Sequence, residues 1–103
     1  MRKSVRARIR WIIPENGGRN RPVPSGVRYC PIVRFLHWPT DDSVTWSADF
    51  IATELDANLE MIVVFSFLSD EAPFDCLSGA NQFELFEGSK KVAMGVVLGE
   101  VKS

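Results

Sequence analysis

The chain has 103 residues and a formal net charge of −1; 46% of its residues are hydrophobic, with seven Phe and three Trp among them. A chain of this size is one domain and can bury roughly two-thirds of its unfolded surface without a disulfide or a metal. The N-terminus is Arg-rich, and the longest apolar run, Met61 to Leu68, is interrupted by Ser66. The pattern therefore argues against a secretory leader and a spanning helix, and predicts a reduced, cytoplasmic protein. Cys30 and Cys76 read as small buried or half-buried hydrophobes rather than redox or metal groups.

The near-zero charge conceals an asymmetry. Residues 1–34 hold nine Lys or Arg against Glu15 alone, a net +8, whereas residues 35–103 hold three Lys against twelve acids, a net −9. Such polarity provides either a basic face for an anionic partner or two lobes that neutralise each other across strands.

Val5, Ala7, Ile9, Trp11 and Ile13 alternate with Arg6, Arg8 and Arg10, which is the period of a half-buried strand. Residues 14–22 supply turn formers, including Gly17-Gly18, and Pro24-Ser25-Gly26 forms a second turn. A strand is expected over residues 27–36, with Pro31 demanding an edge or a bulge. Residues 37–45 read as a polar, exposed loop broken by Pro39. Residues 44–51 read as a strand running into a loop, although Phe50, Ile51, Leu55 and Leu59 also recur at helical spacing and keep a short helix as the alternative over 48–60. Residues 59–68 are rich in β-formers and end in the turn cluster at 69–73. Residues 82–87 and 90–101 make the last two strands, joined by a tight hairpin at Glu87-Gly88-Ser89-Lys90. Gly95 and Gly99 mark bends or close backbone approach. Six short strands with turn signals between them predict a six-stranded antiparallel β-barrel. Its expected core positions include Val5, Ile9, Trp11, Ile62, Val64, Phe83, Leu85, Val92, Val96 and Leu98.

Two segments carry a family resemblance. In residues 8–28 a strand leads into Glu15-Asn16-Gly17-Gly18-Arg19, then Val23-Pro24, Ser25-Gly26 and Val27-Arg28; in residues 84–97 two strands meet at Glu87-Gly88. Together they resemble the C-terminal β-barrel domain of the elongation factor Tu family of translational GTPases. Three departures stand out: Asn16 replaces one of an acid pair, Val27 replaces Tyr, and Tyr29-Cys30-Pro31 replaces Pro-Gln-Phe. The Gln of that tripeptide touches the tRNA T-stem in the family, so Cys30 removes one RNA contact that the resemblance would imply. The resemblance implies a barrel without an active site of its own, which holds tRNA and packs against protein partners.

Catalysis is not expected, because His37 is the single histidine and lies near no nucleophile motif. The loop carboxylates lack the spacing of a calcium or magnesium loop, and Gly17-Gly18-Arg19 lacks the Gly-Lys-Ser/Thr tail of a phosphate loop. No metal, nucleotide or other cofactor is expected. The candidate binding residues are Arg6, Arg8, Arg10, Arg19 and Arg28, with Glu87, Gly88, Lys90 and Lys91 at the hairpin. The expected role is a non-enzymatic binding module for a protein partner; the alternatives are a tRNA- or RNA-binding accessory of translation, or an antitoxin- or immunity-like protein that mimics the barrel.

Overall fold

The computed structural model describes residues 3–13, 22–38 and 45–100. The Gly17-Gly18 turn, Arg19 and most of the polar loop before residue 45 lie outside the described residues. Among the described residues seven strands follow one another: β1 (Val5–Trp11), β2 (Arg28–Tyr29), β3 (Ile32–Phe35), β4 (Trp46–Ile51), β5 (Glu60–Phe67), β6 (Gln82–Glu87) and β7 (Lys90–Glu100), with a 3-10 turn at Phe74–Cys76 between β5 and β6. All pairings are antiparallel, in the order β4-β3-β6-β7-β1-β5, and β4 pairs back onto β5 to close a six-stranded barrel. The short β2 lies outside as a seventh strand on β4. Among the described residues no helix is long and apolar enough to cross a membrane.

β1 is buried in strict alternation, with Val5, Ala7, Ile9 and Trp11 inside and the three arginines outside. β2 and β3 follow one register along β4, Tyr29 opposite Phe50 and Ile32 opposite Ser47, and the ladder is interrupted at Cys30-Pro31. Pro31 has no N–H to give, but its carbonyl accepts from the Ala48 amide at 2.7 Å. No helix forms within residues 48–60. Instead the Asp56 Oδ1 accepts from the amides of Asn58 and Glu60 at 2.8 and 3.0 Å, and Leu59 takes a φ of 63° as the chain turns into β5.

Two strands face differently from the sequence reading. In β5 the core residues are Met61, Val63 and Phe65, whereas Ile62 and Val64 are each 54% exposed. Apolar residues stand at consecutive positions here, so alternation cannot set the phase. The register sets it: Met61, Val63 and Phe65 pair with the buried Ile9, Ala7 and Val5. In β7 a bulge opposite the Leu85–Phe86 step leaves Val92 unpaired, so Val92 and Ala93 are both buried and the phase of everything beyond them is inverted. Val97 is therefore inside, Val96 is only half-buried and Leu98, the extra residue of a second bulge opposite Arg6–Ala7, is exposed.

The barrel interior is aromatic. Phe83 packs against Phe65 and Phe35 at centroid distances of 4.7 and 5.3 Å, and Trp38 stacks on Phe67 at one end. At the β6–β7 hairpin Gly88 has a φ of 63°, which a side chain would strain.

Candidate interaction face

β1 lies between β5 and β7, and the ladders place its outward side chains beside theirs. Arg6 stands between Val64 and Gly99, Arg8 between Ile62 and Val96, and Arg10 between Glu60 and Met94. Directly paired residues of a sheet share a face, so the outer wall carries a central row of guanidiniums flanked by a rail of Val64, Ile62 and the acid Glu60 on β5 and by an aliphatic rail of Val96 and Met94 on β7. Met94 is 44% exposed, and Leu98 continues the β7 rail. Along the strand, successive arginines are about 6.5 to 7 Å apart. Among the described residues none of the three forms an ion pair, although Glu60 stands directly across the ladder from Arg10.

The other candidates are occupied or stand elsewhere. Arg28 forks onto Asp49, with both nitrogen–oxygen distances at 2.8 Å; this hydrogen bond and the carboxylate charge hold the guanidinium above its ordinary value. Cys30 donates to the same carboxylate at 3.7 Å. Desolvation, helped by the Asp49 charge, raises its thiol. Lys91 pairs with Glu84 on β6, and Glu87 accepts the hydroxyl proton of Tyr29. Gly88 has open space around it and Lys90 is exposed, but the ladder places both beyond the end of β1. The hairpin cations therefore do not extend the arginine row. Arg19 lies outside the described residues.

Beyond the Asp49–Ser66 pair, β4 and β5 separate and leave an open groove along Phe50, Ile51, Thr53 and Val64, with the Arg28–Asp49 fork at one end. Val64 belongs both to this groove and to the rail, so the groove continues the apolar border of the face. His37 rests against Phe35 and Trp38 at centroid distances of 5.8 and 6.5 Å. Among the described residues no three His, Cys, Asp or Glu side chains converge as metal ligands would.

Sequence reasoning found the arginine row but missed Ile62, Val64, Met94 and Val96, which it assigned to the core or passed over. The signal that locates them is the register with β1, not their own periodicity. No protein-family model matches the chain, and no curated protein matches it.

Proposed function

We propose that the chain is a non-enzymatic module that binds a protein partner through the outer wall of β5, β1 and β7. The observation that carries this reading is the arginine row bracketed by exposed aliphatic side chains. An RNA backbone would satisfy the guanidiniums but give Ile62, Val64 and Met94 nothing apolar to cover them, and RNA recognition by stacking needs aromatic platforms or base edges that this face does not offer. A protein surface supplies both carboxylates and apolar area, in keeping with an interface of buried apolar anchors and charge-paired arginines. The resemblance to the last barrel of elongation factor Tu implies both tRNA and protein contacts, and Cys30 removes one of the RNA contacts it would imply.

The test is co-purification from the native host with three proteins: wild type, R6Q/R8Q/R10Q, and I62T/V64T. A specific protein partner lost from both variants is expected. Salt-sensitive tRNA binding that the arginine variant loses and I62T/V64T retains, with a log–log slope of about −0.7 per phosphate neutralised on a single strand, would establish the RNA alternative instead.

A further inference from the structure

Resting on that protein-binding reading, we infer that the segment received by this face is an α-helix lying along β1, which presents carboxylates at i, i+4 and i+8 to Arg6, Arg8 and Arg10 and apolar side chains to the two rails. The closed ladder selects the secondary structure of the occupant. β1 is hydrogen-bonded to β5 on one side and β7 on the other, so the face offers side chains and no backbone edge. A segment laid on it must satisfy its own amides and carbonyls. An extended segment would leave many of those groups dry against aliphatic side chains; a helix carries their partners within itself.

The dimensions agree. Four residues of helix rise about 6 Å, against about 6.5 to 7 Å between alternate residues of β1. The difference over three positions is about 1 to 2 Å, which flexible arginine stems absorb. The rails lie one strand spacing to either side of the row, making a track about 10 Å wide, and a helix with its side chains is about 10 to 12 Å across. Charge determines what the helix carries. Three guanidiniums without ion-pair partners among the described residues need anionic acceptors once water is excluded, which a protein helix supplies as carboxylates that the planar fork of Arg takes bidentately; Glu60 beside Arg10 makes Arg6 and Arg8 the stronger of the three sites. A second copy of the same face would oppose cations to cations, so isologous self-association is disfavoured.

Two displayed libraries test the inference, one of single-helix miniproteins with a randomised face and one of linear peptides, both selected on the full chain and counter-selected on R6Q/R8Q/R10Q. Enrichment of helices with acids at four-residue spacing, flanked by aliphatic residues, is expected. Their affinity should fall about 100-fold or more for the arginine variant and about 10-fold for I62T/V64T. Amide spectra establish that each variant is folded, and Met94→Gln on the opposite rail replaces I62T/V64T if the latter is not. Enrichment only of linear peptides with acids at alternate positions would overturn the helix while leaving the protein-binding reading intact. No enrichment in either library would overturn both, and so would binding of tRNA or anionic phospholipid vesicles that needs the arginines but ignores the rails.

Discussion

Gly95 stands directly across the β6–β7 ladder from Phe83, and a Cβ at Gly95 would lie 2.2 Å from the Cζ of that ring. The aromatic side chain fills the space that glycine leaves and is fully buried there. Gly95→Ala should therefore cost about 1 to 3 kcal/mol or more by overpacking. Phe83→Leu should cost less when combined with Gly95→Ala than in wild type. A double-mutant cycle from chemical denaturation measures this coupling, and simple additivity would show that the ring moves aside freely.

Trp11 is buried, yet its indole Nε1–H has no hydrogen-bond partner among the described residues. A buried donor left unsatisfied costs about 1 to 3 kcal/mol, while the packing of the ring contributes in the opposite direction. Trp11→Phe should thus leave stability within about 1 kcal/mol of wild type, whereas Trp11→Ala should lose about 3 to 5 kcal/mol. Urea midpoints distinguish them, and equal losses would mean that the N–H is satisfied in solution.

The two thiols should differ in reactivity. Burial, reinforced by the Asp75 charge, pushes Cys76 up to about 12, while Cys30 is exposed. Alkylation at pH 8 should label Cys30 in the native protein and Cys76 only on unfolding. The fold favours the protonated Cys76, so its contribution is complete below the ordinary value of 9.0 and is lost as pH rises from there through about 12. Stability should accordingly fall in that window, by up to about 1.4 kcal/mol per pH unit from this group. Cys76→Ala should flatten the slope, as stability curves between pH 8 and 11 would reveal.

Asp56 fixes the turn that aims β5. Its carboxylate caps the amides of Asn58 and Glu60, and the turn holds Leu59 at a positive φ, where its carbonyl accepts the Trp11 amide at 3.0 Å. Asp56→Ala should cost about 1 to 3 kcal/mol. Asp56→Asn, which keeps an acceptor, should recover much of it. Thermal midpoints of the two variants provide the comparison.

The sequence revealed most where one face was apolar and the other charged. β1 shows this clearly: arginine at every second position leaves only one phase, and the observed burial follows it residue by residue. Gly88 likewise announced a turn through backbone chemistry alone, whereas Pro31, read as an edge or bulge residue within one strand over 27–36, divides that strand into β2 and β3. β5 was opaque because Ile62 and Val64 are as apolar as Met61 and Val63, so only pairing with β1 shows which pair is inside. In β7 the bulge at Val92 defeated counting by twos, because an unpaired residue leaves no mark in the hydrophobic pattern. The arginine half of the candidate face was thus legible, and its aliphatic half required the ladder.

The pairing of Val5 with Glu100 has a kinetic meaning. β1 and β7, the first and last of the described strands, form a long ladder, so the search for that contact must span every strand between them before any of its enthalpy is recovered. A circular permutant with the original termini joined by a short flexible linker and new ends between Asp70 and Glu71, both exposed, would turn this ladder into a local hairpin and leave the other pairings at similar separations. Its refolding rate in stopped flow should rise while its unfolding rate stays close to that of the parent. The order in which the strands are connected, rather than the contacts they make, would then set how fast the barrel closes.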